Sequence, residues 1–270
     1  MSRKKNRANQ SPASSAKTVL NSPPRDWWWL AVFAVAFAAR LTFVWHSREL
    51  PFFFSPIIDP QGYDARAVEL ITMGLPARPF DQAPLYTLFL AANYFLFGHG
   101  YLAPRVVQCL VAAASCVMVQ RLGARLSGRT AGVIAGFAAG LYGPLVFYET
   151  DLLREVVVIF LALALLLCLW RWQESGRLEW AAAAGFLMGL SLIARENIFL
   201  FLPFAAAWLF FRTESRSQSR WLAPAVFVLL AVLMVVPVTI WNYLNSGAFV
   251  PISSESGVNF FIGNSRIPSD

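Results

Sequence analysis

Carboxylates and guanidinium groups are scarce in this chain, and they gather in a few short stretches where they could move a proton or hold an anion. IDPQGYD carries Asp59 and Asp64, and FDQAPLYTLFL carries Asp81. A carboxylate within reach of a hydroxyl can take its proton as bond formation begins, and acids beside apolar runs are costly enough to signal function. The three acids therefore point to general-base chemistry on something held by a membrane. Asp59 precedes Pro60, which is also a favourable helix start, with Asp as cap and Pro at the first helical position. A cap and a base are compatible roles. Asp64 and Arg66 alternate with apolar residues in YDARAVELITMGL and read first as solvated charges on an interfacial helix. Asp81 either caps the helix after it or completes a carboxylate pair with Asp59.

Two further groups stand downstream. Glu149, Asp151, Arg154 and Glu155 fall in one turn between apolar runs, where a helix cap is the default reading. Arg195 and Glu196 divide two short apolar runs. An Arg recessed at such a junction needs an anion, either Glu196 or a ligand phosphate. Neighbours in a helix do not face each other, which weakens the Glu196 option. Arg154, like Arg66, is the next candidate for a phosphate.

The elements that must position these residues are apolar helices. The chain has 270 residues, 57% hydrophobic and 14% charged, with a mean hydropathy of +0.54. That places it among integral membrane proteins. Spans are expected at 27–46, 102–120, 131–147, 152–170, 178–194, 197–211 and 221–244, since ~20 residues cover ~30 Å. The segment 84–97 is short and is expected to lie at the interface or re-enter the membrane. The fold expected is thus all-α: seven transmembrane helices with interfacial helices in the first outer loop.

Charge sets the orientation. With the tail inside, the inner segments hold fourteen of the 22 Lys and Arg, including Arg121, Arg125, Arg129, Arg171, Arg177, Arg212 and Arg220, and the outer side holds seven. This asymmetry follows the positive-inside rule. It divides the chain into a disordered basic cytoplasmic tail (1–26), a membrane module (27–244) whose outer loop (47–101) carries the acids, and an external segment (245–270). The net charge of +7 has no basic face interleaved with aromatics, so nucleic acid is excluded as a partner. His46 and His99 show no metal-ligand spacing, and Cys109, Cys116 and Cys168 read as small apolar residues.

In four places the chain resembles the GT-C membrane glycosyltransferases, a group that includes aminoarabinose transferases and protein O-mannosyltransferases. They are Asp59 followed by Tyr63, Asp64 and Ala65; Asp81 followed by Pro84, Leu85 and Tyr86 and then FLFGHGYLAPRVVQ; Ala194-Arg195 with Asn197; and GVNFFIGNS near the end. The resemblance runs from Trp27 onward and implies a seven-span GT-C bundle that relatives extend with further spans. It also implies a polyprenyl-phosphate-linked sugar as donor, a lipid, glycan or protein as acceptor, and an active site on the external face of the plasma (inner) membrane. On this reading Asp59 and Asp81 are catalytic, and Arg195, Asp64, Tyr63, Tyr86 and Arg154 contact substrate. Some relatives carry a Lys after the second acid, where this chain has Gln82, which leaves Arg195 as the phosphate contact. No cofactor is assigned, and a divalent metal stays open. The competing reading is a multi-span transporter or flippase of a lipid-linked or anionic solute. It would call for internal repeats and charges at mid-depth; apart from Arg40 the span interiors are nearly uncharged.

Overall fold

The computed structural model describes residues 27–212 and 220–254, with 257, 260, 261 and 264 beyond them. The tail 1–26 and most of GVNFFIGNS lie outside the described residues. The described chain is helical: α1 (Trp28–Ser47), α2 (Pro51–Phe54), α3 (Asp59–Met73), α4 (Leu85–Phe97), α5 (Leu102–Ser127), α6 (Arg129–Leu141), α7 (Gly143–Thr150), α8 (Glu155–Ser175), α9 (Leu178–Ala194), a 3₁₀ turn (Glu196–Leu200), α10 (Phe201–Arg212) and α11 (Leu222–Ser246).

Four helices, α1, α5, α8 and α11, are long and apolar enough to cross a membrane, and α6 with α7 makes a fifth if the bent pair is one span. The expected count of seven is therefore not met by length. The expected span at 131–147 breaks at Tyr142, and its halves bend by 56°. Tyr142 is extended, and Pro144, in the first turn of α7, has no N–H to return to the turn before. The expected span at 197–211 opens instead as a 3₁₀ turn and becomes α-helical only at Phe201. α9 is a 17-residue apolar helix, about 26 Å at 1.5 Å per residue, shorter than the hydrocarbon core.

Small residues let the helices close on one another, the usual device where lipid supplies no hydrophobic drive between them. On α6, Gly132, Gly136 and Gly140 are buried at four-residue spacing. A Cβ on Gly132 would come within 2.5 Å of the Gln120 carbonyl of α5. On α9, a Cβ on Gly185 would meet the Phe227 carbonyl of α11 at 2.4 Å. α1 buries Val32, Ala36, Arg40 and Val44, one residue per turn on one face.

Arg40 is the costly member of that row. It is fully buried, and its Nε donates to Glu149 Oε2 on α7 at 2.9 Å. Its Nη1 donates to the carbonyls of Ala36 (3.1 Å) and Gly140 (3.0 Å). The default reading of Glu149 as part of a helix cap is corrected here, because its side chain makes no cap bond and is buried against Arg40. α3 and α4 pack antiparallel through Tyr63, Ala67, Tyr86, Leu90 and Tyr94.

The last segment is tied back to the first loop. Phe80 N–H donates to Asn242 Oδ1 (2.8 Å), Asn242 Nδ2 donates to the Val250 and Ile252 carbonyls, and Ser254 N–H donates to the Phe80 carbonyl (3.1 Å). Trp241 Nε1 donates to the Pro76 carbonyl.

Removing one partner of a buried ion pair strands the other. Glu149→Ala is therefore expected to lower stability by about 3–5 kcal/mol, whereas Arg40→Met with Glu149→Leu recovers most of the loss. Thermal unfolding in detergent checks both, and a double variant as unstable as the single one contradicts the expectation.

Candidate functional site

The ends of α1, α7, α9 and α11 and the beginnings of α5 and α8 meet at one end of the bundle, and α2, α3 and α4 cover it. The opposite end carries the basic loops, where Arg125 lies 3.5 Å from Glu174. All the acids singled out in the sequence stand at the covered end, in three separate settings.

Asp59 opens α3. It is exposed, and its carboxylate makes no hydrogen bond or ion pair with any described residue. The cap is not Asp59 but Ile58, so the reading of Asp59 as a helix cap is corrected: Asp59 is the first helical residue and Pro60 the second. Ile58 has φ 58° and ψ −118°, a region hostile to a β-branched residue and worth on the order of 1–3 kcal/mol of strain. Strain of this kind, immediately before an unpartnered carboxylate, marks a place where the chain is held in position rather than relaxed.

Asp81 is not hydrogen-bonded to Asp59. Arg66 grips it from α3 as a fork, Nε to Oδ1 at 2.9 Å and Nη2 to Oδ2 at 2.5 Å, and Arg66 Nη1 also donates to Gln82 Oε1 at 3.2 Å. Gly62 leaves room for this, since a Cβ there would meet Arg66 Nη1 at 2.7 Å. Partial burial raises the Asp81 carboxyl's pKa, but the hydrogen bonds and charge of Arg66 outweigh it and hold it below the usual carboxylate range. Seven residues separate Asp59 from Arg66, about two helical turns, so the Asp81 pair sits roughly 10 Å along the same side of α3.

Asp64 is not a solvated charge, and that reading is corrected too. Tyr94 donates to its Oδ1 (2.7 Å), Tyr101 to its Oδ2 (3.1 Å), and His99 Nε2 lies 3.0 Å from Oδ1. Burial and then the hydrogen bond to Asp64 push the Tyr94 phenol well above its ordinary pKa. Asp64 thereby joins α3 to the α4–α5 turn. Tyr63 and Tyr86, expected to contact substrate, are fully buried and meet edge to face at 4.8 Å. Neither presents a surface to a ligand in this conformation.

Arg195 ends α9 with extended backbone. Its anion is Glu155 at the start of α8, 3.3 Å away, and not Glu196. Glu196 instead accepts a hydrogen bond from Ser253 in the returning segment. Arg195 is more than a third exposed, and among the described residues this one contact leaves most of its five N–H donors open. Arg154 is the residue before α8, on the same rim.

Between these settings a cavity of about 220 Å³ opens among α1, α2, α3, α5 and α7. Ile57 and Pro60, which flank Ile58 and Asp59 in the chain, line it. Arg105 and Asp151 form its polar wall, with Arg105 Nη2 donating to Asp151 Oδ1 at 3.2 Å. Gln108 holds the same turn, its Nε2 donating to the carbonyls of Glu149 (3.1 Å) and Asp151 (2.6 Å). Sequence reasoning passed over Arg105 and Gln108, although a guanidinium in the first turn of an apolar helix was a signal. A second cavity, about 430 Å³ at the other end, is lined almost wholly by apolar side chains such as Leu126, Phe201 and Trp208 and offers nothing to the acids. Among the described residues no three His, Cys, Asp or Glu side chains gather in a way that could hold a metal ion.

More than half of the chain matches a known protein family. A family model for dolichyl-phosphate-mannose-protein mannosyltransferase matches residues 81–241, well over half of the chain. The chain belongs to that family. It is a membrane glycosyltransferase of the GT-C type, with several apolar helices able to span a bilayer. No curated protein matches the chain. The match begins at Asp81 and takes in Tyr86, Arg105, Asp151, Arg154 and Arg195, whereas Asp59, Tyr63 and Asp64 precede it.

Two outcomes are expected of this end. Ile58→Gly should raise stability by about 1–2 kcal/mol in thermal unfolding, because the relieved strain exceeds the ~0.5–1 kcal/mol entropic penalty of Gly; a loss would show Ile58 unstrained. The depressed Asp81 pKa makes the Arg66 pair a contribution present at neutral pH and lost as pH falls through the folded value, below the ordinary carboxylate range. At pH 8, tryptic cleavage after Arg66, which Ala67 follows, should therefore be slow in the parent and faster in Asp81→Asn. Equal tryptic rates for parent and variant would contradict this.

Proposed function

We propose that the protein transfers a sugar from a polyprenyl-phosphate donor to an acceptor hydroxyl at the end that carries the acids, by inverting displacement with Asp59 as general base. The single observation that carries this reading is the exposed Asp59 carboxylate, without a hydrogen-bond or ion-pair partner among the described residues, beside Pro60 in the first turn of α3. A base must be free to receive a proton. Every other acid of the first loop that the sequence singled out is engaged, Asp64 by two tyrosines and His99 and Asp81 by Arg66, and Glu69 is paired with Arg78. Asp81 then assists Asp59 at a distance, by bracing α3 through Arg66.

The acceptor hydroxyl would lose its proton to Asp59 as its oxygen attacks the anomeric carbon and the bond from that carbon to the phosphate oxygen breaks. A positioned base contributes ~10²–10⁴-fold to such a step. The leaving polyprenyl phosphate gains negative charge in the transition state, and a preorganised cation favours that state over the ground state. Arg195, with open donors on the rim, is suited to this, and Arg154 stands next to it in line. The charge distribution supports a cytoplasmic N-terminus, an external acidic end and seven legs in up-and-down order, with the short α9 and α10 forming one hairpin of the seven.

Asp59→Asn is expected to lower transfer from a polyprenyl-phosphate sugar by at least ~10²-fold with insertion and melting unchanged. Retained transfer in that variant, with Asp64→Asn inactive instead, would move the base to Asp64. Arg195→Ala should weaken donor binding and slow transfer more than Glu196→Ala does, and equal effects would place the phosphate elsewhere.

A further inference from the structure

We propose that the groove among α5, α8 and α10, at the basic end of the bundle, binds an acyl chain of an anionic phospholipid whose phosphate sits on Arg125. The proposal rests on the membrane-spanning reading of the helices and is independent of the transfer chemistry at the other end.

Depth and lining come first. The groove holds about 430 Å³, and its walls include Leu122, Leu126, Leu166, Phe201, Phe204 and Trp208. Along α8 it runs from Leu166 to Gln173, about 10 Å at 1.5 Å per residue, within the ~15 Å of hydrocarbon that one leaflet provides. Leu126 is 69% exposed and Phe204 72%, so no described helix closes over them. Trp170 and Gln173 stand at the basic end of the groove, and indoles gather where hydrocarbon meets head groups. An acyl chain entering past Gln173 therefore has its phosphate beside the ends of α5 and α8.

Charge selects the head group. At the basic ends of α5, α6, α8, α9 and α10, Arg121, Arg125, Arg129, Arg171, Arg177 and Arg212 outnumber Glu174 and Glu179. Arg125 is the one set beside the groove. It lies one turn after Leu122 and directly before Leu126, and its guanidinium carbon is 6.0 Å from the ring centre of Trp170. Its Nη2 comes no nearer than 3.5 Å to Glu174 Oε2, and its Nη1 is buried with no hydrogen-bond partner among the described residues. An orphaned guanidinium N–H is costly, and a phosphate oxygen is an acceptor that fits it. Glu174 does not hold the place firmly. Its side chain is 45% exposed, and it also accepts from Trp170 Nε1 at 2.9 Å and lies 3.8 Å from Arg171 Nη1, partners it keeps when a phosphate takes Arg125.

A basic pocket between spans is a recurring form of anionic head-group recognition. A zwitterionic lipid would bring its own cation among these arginines, whereas an anionic one does not. The chain of a polyprenyl-phosphate donor is the poorer occupant, because the transfer reading places its phosphate on Arg195 at the other end of α9.

The test uses the full chain in phosphatidylcholine nanodiscs containing a trace of phosphatidylglycerol or phosphatidylcholine with a photoreactive diazirine on one acyl chain. Mass spectrometry of the cross-linked peptides compares labelling of α8 and α10 with labelling of α11, whose exposed Leu229, Val232 and Leu233 report bulk lipid. The phosphatidylglycerol probe should favour the groove over α11 by about fivefold or more relative to the phosphatidylcholine probe, the worth of one cation near an anionic head group. Arg125→Gln should remove that excess and leave α11 labelling unchanged. Gln173→Glu, an exposed position where folding is not at stake, should remove it as well by placing a like charge at the mouth. Equal groove labelling by the two probes would overturn the proposal and reduce the groove to bulk lipid contact. An excess that survives Gln173→Glu would overturn it too. So would an absence of groove labelling, which would mean that protein covers this face, or displacement of the phosphatidylglycerol probe by an equal amount of unlabelled polyprenyl phosphate, which would give the groove to the donor's chain.

Discussion

The buried pair of Arg40 and Glu149 is the constraint around which the rest of the acidic end is arranged. An ion pair inside an apolar bundle is expensive to desolvate, and it is tolerated only where the geometry satisfies nearly every polar atom. Here one guanidinium takes Glu149, the Ala36 carbonyl of its own helix and the Gly140 carbonyl left open where α6 ends. The break at Tyr142 and the charge at Arg40 are therefore two parts of one arrangement. A straight helix through 131–147 would keep the Gly140 carbonyl in its own ladder and carry Glu149 past Arg40.

Once Glu149 is fixed, so are its neighbours in the turn. Thr150 and Asp151 are the next residues, and Gln108 takes the carbonyls on either side of Thr150 while Arg105 takes the Asp151 side chain. Three side chains from two helices thus hold one turn of three residues, and that turn is the polar wall of the cavity. The opposite wall is less constrained: α3 begins at a strained Ile58, and Asp59 is left without a partner among the described residues. The hydrogen-bonded turn and the carboxylate without a described partner thus belong to different elements.

The covering layer needs the end of the described chain as much as its beginning. Phe80, just before Asp81, is clamped by Asn242 and Ser254, and Glu196, just after Arg195, is met by Ser253. One short returning segment therefore sets the depth of both Asp81 and Arg195. Neither residue's surroundings follow from its own helix, which is why the pairing of Asp59 with Asp81 and of Arg195 with Glu196 could not be resolved locally. Asp64 illustrates the same point: on α3 alone it alternates with apolar residues like a solvated charge, and only the arrival of Tyr94, His99 and Tyr101 from another helix and turn makes it a half-buried tie.

What the amino-acid sequence determined by itself was local or additive in kind. Apolar length and composition settle the all-helical, membrane-spanning class, and the order of acids and short motifs along the chain suffices for the GT-C family, because both are properties of a linear string. Span integrity was less legible, since a Gly-Pro step and a 17-residue helix cost little in hydropathy yet change geometry. Tertiary structure alone decided which charges are spent and which are free. Ion pairing depends on contacts between residues as far apart as Arg40 and Glu149 or Arg105 and Asp151, and nothing in the spacing of a single helix reports them. That Asp59 and one oxygen of Asp151 have no partner among the described residues becomes visible only once the contacts of their neighbours are traced.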